Sequence, residues 1–336
     1  MNLGNLSNNN SSQNSKRERI DTKNKEKDED FLIIDPTYSY IIKHNKNDLQ
    51  NFNQQEINPN ILELEILNSS CLIKGTKIKI NQFGLIEGSL RNKKDNITYF
   101  GYLDKSEKNI NDKDKEKEKE EKNNSVDYLL PLKHCDKLGR FFKIQFIPKI
   151  NDYIIKDLGN GLGTFIKIQD LIYITNSSMI NIGDSYLILY FIKPTEHIIK
   201  NNNDKENNNK KDNMNLNGVN QKLKIKLFES KNSNLMKQYI FDNNKENIIR
   251  IGRKNHGNQI ELDDHLSSKV NSMIIYNNEK GWIIKDGNEV ILKNGDIKRN
   301  YSTNGTWFLA IENIKIVDKL IFKSNFNIFK CNLIKN

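Results

Sequence analysis

From Ile61 onward, apolar and polar positions alternate in short runs. Ile61-Leu62-Glu63-Leu64-Glu65-Ile66-Leu67 places its apolar side chains with period two, as a half-buried strand requires. Similar runs follow at 73–80, 83–86, 141–147, 153–156, 164–168 and 186–192, separated by Gly, Asn and Asp. A second series opens at Leu223 and recurs at 239–242, 248–251, 273–276, 282–285, 306–311, 314–317 and 326–333. No segment sustains the 3.6-residue period of a long amphipathic helix. The pattern predicts an all-β protein made of two antiparallel β-sandwich domains in tandem.

The polar stretches set the expected boundaries. Residues 1–60 are mostly low in complexity and are expected to be disordered, apart from the short run Phe31-Leu32-Ile33-Ile34. That run suits either a segment docked on a domain or a linear motif. The first domain is expected over 61–195, with a charged loop inserted at about 104–125, whose apolar residues show no helical period. An Asn/Lys/Asp-rich linker at 196–220 leads to the second domain at 221–336.

Composition narrows the class of function. Only 36% of the 336 residues are hydrophobic and 29% are charged, so the apolar residues must be concentrated in the strand blocks. No run approaches the roughly 20 apolar residues of a membrane span, and the N-terminus has no signal-peptide core. A cytoplasmic or nuclear location without a membrane partner is expected. Cys71, Cys135 and Cys331 lie far apart, which excludes zinc spacing and suits apolar positions in strands. The net charge of +10 comes from stretches that mix Lys with Asp and Glu, a poor match to a nucleic-acid stripe. No P-loop, kinase motif set, GxSxG or metal-ligand cluster is present, so neither an enzyme, a cofactor, a metal nor a small-molecule substrate is expected.

The chemistry gathers in the second block. Ile249-Arg250-Ile251-Gly252-Arg253 ends a predicted strand. Ser267-Ser268-Lys269-Val270-Asn271 lies in a loop between two more strands. Ser302-Thr303-Asn304-Gly305-Thr306 has the Asn-Gly signature of a tight turn. An Arg fork, a Lys and a Ser hydroxyl suit a phosphate with nearly two charges and three acceptor oxygens. The Asn304 amide can both donate to and accept from a peptide backbone. Ser267 competes with Ser268, and the spacing to Asp264 and Asn271 favours Ser268. His256 and His265 read as exposed loop residues, and Trp282 and Trp307 as packing residues.

The order GR, then Ser with a following basic residue, then STNGT resembles the forkhead-associated (FHA) family over roughly 223–333. The resemblance implies a two-sheet sandwich, of the FHA/SMAD-like kind, that binds phosphothreonine peptides with loops at one end. Arg253 and Ser268 would hold the phosphate with help from Lys269, and Asn304 would hold the peptide main chain. Gly252, Asn271, Gly305 and Thr306 would support them. Asn271 stands where the family usually has a bracing His, and the insertion 287–301 lengthens a loop beside the binding edge.

The first block resembles the same family in degraded form. Residues 83–91 stand for the GR strand, Gly139 for the phosphate-binding Ser, Phe142 for the His and Leu162 for the turn Asn. Arg91 and Arg140 are its remaining candidates for a phosphate contact. The expected function is an adaptor that binds threonine-phosphorylated proteins through its second domain. The alternative is a scaffold built from two non-reading sandwiches.

Overall fold

The computed structural model of the protein describes residues 32–34, 41–43, 59–102, 126–131, 139–192, 222–229, 236–278 and 281–335. Every regular element among them is a strand. The first are β1 (Leu32–Ile34), β2 (Ile41–Lys43), β3 (Ile61–Asn68), β4 (Lys77–Asn81), β5 (Gly84–Leu85), β6 (Ile97–Tyr102) and β7 (Tyr128–Leu129). There follow β8 (Gly139–Ile147), β9 (Asp152–Asp157), β10 (Thr164–Lys167), β11 (Leu171–Tyr173), β12 (Ser178–Ile182) and β13 (Ser185–Ile192). The second block supplies β14 (Lys222–Glu229), β15 (Met236–Asp242), β16 (Ile248–Arg253), β17 (Ile260–Leu262), β18 (Ser272–Asn277) and β19 (Gly281–Asp286). It ends with β20 (Asn288–Ile291), β21 (Ile297–Asn300), β22 (Trp307–Leu309), β23 (Asn313–Lys315), β24 (Ile321–Ser324) and β25 (Asn327–Ile334).

The alternation read from the sequence decides which face each strand buries. In β3, Leu62, Leu64 and Ile66 are fully buried, and in β14 Leu223, Ile225 and Leu227 are. The sheets are predominantly antiparallel and sandwich-like in their layering. A seven-stranded sheet runs β2-β1-β23-β9-β8-β6-β7, a five-stranded sheet runs β11-β19-β18-β16-β17, and β20-β21 form a separate hairpin. An eleven-stranded sheet, β15-β14-β13-β12-β22-β10-β24-β25-β3-β4-β5, serves both. Phe142 of β8 meets Phe322 of β24 edge-on at 5.3 Å and Phe329 of β25 at 6.2 Å, which packs the seven-stranded sheet on the eleven-stranded one.

The pairing does not follow the two sequence blocks. The hairpin β12–β13 comes from the first block, yet β13 pairs with β14 along eight residues, from Ser185↔Glu229 to Ile192↔Lys222. The hairpin β24–β25 comes from the second block, yet β25 pairs with β3 and β24 with β10. The same trade moves β11 onto β19 and β23 onto β9. At the centre, β10 and β22 pair with each other, Phe165↔Leu309 and Lys167↔Trp307, about a local two-fold at Ile166↔Phe308.

Each half is therefore closed by the other block's terminal strands, and residues 31–336 form one unit. The boundary expected at 196–220 divides the sequence but not the sheets. Two blocks with alike closing hairpins can exchange them and keep the same kinds of contact. The expected loop at 104–125, the linker at 196–220 and Cys135 lie outside the described residues. Leu32–Ile34 is described, and it extends the sheet edge in parallel with β23 (Ile33↔Asn313). Cys331 is buried in β25 as expected, whereas Cys71 sits half-buried in a loop beside Ser70.

Candidate functional site

Gly252 and Arg253 end β16, which pairs with β17 in parallel and with β18 antiparallel. Gly252 is required by close approach: a Cβ there would lie 2.3 Å from the Lys269 carbonyl and 2.9 Å from Asn258 Nδ2. That contact brings the 264–271 loop against the end of β16. Arg253 N–H donates to Ser268 O at 2.9 Å, and Asn271 N–H donates to Ile251 O at 2.8 Å. Asn258 Nδ2 then donates to both Arg253 O (3.0 Å) and Lys269 O (2.8 Å), fastening the two segments.

The side chains meet at this end. Arg253 turns onto the loop, with Nε and Nη2 donating to Ser267 O at 2.9 and 2.7 Å. Its Nη1 has no partner among the described residues. Asn304 Nδ2 donates to the neighbouring carbonyl, Leu266 O, at 2.8 Å. Ser268 Oγ accepts from Thr303 N–H at 3.0 Å and lies 3.4 Å from Thr303 Oγ1. Arg253, Lys269 and Asn304 are exposed, and Ser268 is half-buried. The Ser267 hydroxyl is fully buried and donates to Asp264 O at 2.7 Å, which leaves Ser268 as the serine facing outward.

A buried polar layer holds the loops from beneath. Asn271 Oδ1 accepts from Ser268 N–H at 3.2 Å, and its Nδ2 donates to Thr306 Oγ1 at 3.1 Å. Despite its shorter reach than His, Asn271 spans the two loops. Asp286, buried at the end of β19, accepts from Ser302 N–H (3.1 Å), Ser302 Oγ (2.6 Å) and Thr306 Oγ1 (2.6 Å). Gly305 takes the left-handed conformation at φ +82°, and Trp307 Nε1 donates back to Asn304 O at 3.0 Å.

Sequence reasoning gave no role to Asp286 or Asn258 and used Asp264 only as a spacing mark for Ser268. Asp286 acts on Ser302 and Thr306, 16 and 20 residues on, Asp264 also takes Asp184 N–H from 80 residues back, and Asn258 meets Arg253 and Lys269 only once the loop is folded. The insertion 287–301 forms the β20–β21 hairpin. Arg299 ties it to the first block by donating to Asp170 Oδ1 at 3.2 Å and to Asp170 O at 2.5 Å.

The first block's equivalent end is built differently, and its register corrects three expectations. The strand equivalent to β16 is β6, not residues 83–91, because β6 pairs in parallel with β7 and antiparallel with β8. A Cβ on Gly101 would lie 2.2 Å from Gly139 O, so Gly101 and Gly139 stand where Gly252 and Lys269 stand in the second block. Tyr102 thus replaces Arg253. The equivalence to Asn271 falls one residue earlier than Phe142, on Phe141, since Phe100↔Phe142 matches Ile251↔Ser272. Phe142 is a core residue, stacked on Phe100 at 4.5 Å.

Arg91 is not placed to contact a phosphate. It is 6% exposed and bonded to Asp127 (3.0 Å), to both oxygens of Asp95 (2.6 Å each) and to Ile97 O (2.7 Å). Its hydrogen bonds hold the Asp95 carboxyl below its ordinary range. Arg140 stacks its guanidinium over the Tyr99 ring at 3.8 Å. Leu162, at the Asn304 position, is half exposed. Asp157, the counterpart of Asp286, accepts from Gly159 N–H at 2.9 Å, and burial pushes its carboxyl upward.

Among the described residues no group of His, Cys, Asp and Glu could hold a metal ion, and no helix is long and apolar enough to cross a membrane. No family model, curated protein or solved structure matches the chain.

Proposed function

We propose that this protein is a phosphothreonine-dependent adaptor, and that its peptide-reading edge is the Arg253, Ser268, Lys269 and Asn304 end of the second block. The observation that carries this reading is the convergence of three loops, with Arg253 and Asn304 both bonded to the backbone of the loop that carries Ser268 and Lys269. Arg253 and Asn304 grip adjacent carbonyls, Ser267 O and Leu266 O, of the loop that presents Ser268. A phosphate at this edge would find the remaining Arg253 donors, the Ser268 hydroxyl and the Lys269 ammonium. Holding the donors in place before the ligand arrives lowers the ordering cost of binding. Under this reading both halves are FHA-like and only the second reads.

The test is calorimetric titration of the whole chain with a degenerate phosphothreonine peptide pool. Phosphoserine and unphosphorylated pools and the Arg253→Ala variant serve as controls. Threonine-selective binding that falls at least tenfold in Arg253→Ala is expected. Absence of phosphate-dependent binding in every pool removes the reading and leaves the scaffold built of non-reading sandwiches.

A further inference from the structure

The exchanged strands bring first-block residues against both loops of the second block's reading edge. The turn between β12 and β13, Gly183-Asp184, lies on Asp264. Asp184 N–H donates to Asp264 Oδ2 at 2.7 Å, while Leu266 N–H donates to Asp264 Oδ1 at 2.8 Å. Asp264 is 6% exposed, and its carbonyl takes Ser267 N–H (3.1 Å) and Ser267 Oγ (2.7 Å). One carboxylate-bearing residue therefore fixes Leu266 and Ser267, whose carbonyls hold Asn304 and Arg253.

Gly183 makes this fit possible. Its φ is +55°, and a Cβ would stand 2.3 Å from Asp264 Oδ2 and 3.1 Å from Leu266 Cβ. On the other loop, Ile168 N–H donates to Thr306 O at 2.9 Å. A Cβ on Gly305 would lie 2.7 Å from Lys167 Cε, so the lysine stem packs against the Asn304-Gly305 turn.

We propose that the Gly183-Asp184 turn of the first block is a positioning element of the second block's phosphopeptide site, holding the 264–268 loop through Asp264. This rests on the proposed reading function. It assigns a role to the block that has lost its own phosphate contacts: the block supplies the floor on which the other half's loop is set. Reading competence then belongs to the exchanged fold as a whole, not to residues 221–336.

A double-mutant cycle in the whole chain tests this. Gly183→Ala puts a methyl against Asp264, and Asp264→Asn replaces the acceptor of Asp184 N–H with an amide. Each is measured by calorimetry with a phosphothreonine peptide selected on the wild-type chain, alongside thermal melting and amide exchange at Asp184 and Leu266. Both substitutions are expected to weaken phosphopeptide binding about tenfold and to speed exchange at Leu266. Arg253→Ala serves as the reference for full loss. Because both act through one contact, the double variant should be no worse than about the weaker single.

Unchanged binding in a folded Gly183→Ala chain, or losses that simply multiply in the double variant, would overturn the inference while leaving the reading function in place. Should a variant melt too low to titrate, amide exchange below the melt decides: protection at Leu266 equal to wild type overturns the inference. A wild-type chain silent toward every phosphothreonine pool removes both proposals together.

Discussion

Cutting the chain between the two blocks separates an exchanged fold from a pair of tandem domains. The perturbation is a protease recognition sequence inserted within 200–210, outside the described residues. Every strand through β13 then belongs to one fragment and every strand from β14 to the other. The fragments remain interlocked through β13–β14, β3–β25, β10–β24 and β11–β19. The closing segment of the second fragment alone buries Leu320, Phe322, Phe329 and Cys331 completely in the first half. At about 1.5–3 kcal/mol for each of Leu320, Phe322 and Phe329, that segment contributes on the order of 5–9 kcal/mol.

The reciprocal hairpin buries Ile180, Ile182, Leu187 and Leu189 to the same extent against the second half. Two such contributions exceed the roughly 8 kcal/mol of micromolar affinity, even after a cost of several kcal/mol for association. The nicked protein should elute as a single species of unchanged size, give two bands on a denaturing gel and melt in one transition. Fragments that separate without denaturant and each melt cooperatively would refute the exchange.

Two further outcomes follow from buried charges. Lys323 bonds to Asn181 Oδ1 and lies 4.6 Å from the Trp307 ring, where burial lowers its ammonium from 10.5 to about 8. Between those values the unfolded chain holds the extra proton, so stability should rise with pH from about 8 to 10. The full depression corresponds to roughly 3 kcal/mol. Urea unfolding at stepped pH should show the rise in wild type and not in Lys323→Met. Above pH 10 four tyrosines reverse the trend, because desolvation lets Tyr128, Tyr153, Tyr186 and Tyr239 keep their protons longer when folded. Arg91→Ala strands the carboxylate of Asp127, which is 1% exposed, and should cost about 3–5 kcal/mol in urea unfolding. At temperatures where that variant stays folded, phosphopeptide affinity should equal wild type; a loss would place Arg91 at a site.

The strands were legible because one face of each is buried: the alternation at Ile61–Leu67 becomes β3 and that at Leu223–Phe228 becomes β14. The convergence of Arg253, Ser268 and Asn304 was legible through the order of their motifs. The register of the first block was not. Arg91 and Phe142 are attractive matches in sequence, but only pairing shows that Gly101, and not Gly84, meets the next strand's backbone at closest approach. The exchange was also invisible, because β12–β13 and β24–β25 carry the same kind of alternation and fit either half. Asp264 counted only as a spacing mark and Asp286 had no role, since Asp184 and Ser302, which they accept from, lie 80 and 16 residues away.

Under the proposed reading, the exchange changes what the absence of phosphate contacts in the first block means. In two independent domains, a copy with Tyr102 for Arg253 and Phe141 for Asn271 could decay further without harm to its neighbour. Here the first block must still supply β12 and β13, because β14 otherwise loses its eight-residue partner and Asp264 its hydrogen bond from Asp184. The second block in turn supplies the Phe322 and Phe329 on which Phe142 packs. The constraint on the first half is therefore set by its strands and its Gly183-Asp184 turn, and under the proposed reading its own loop end carries no phosphate contact to preserve. An aromatic and aliphatic loop end on a well-packed half is the outcome that division of constraint allows.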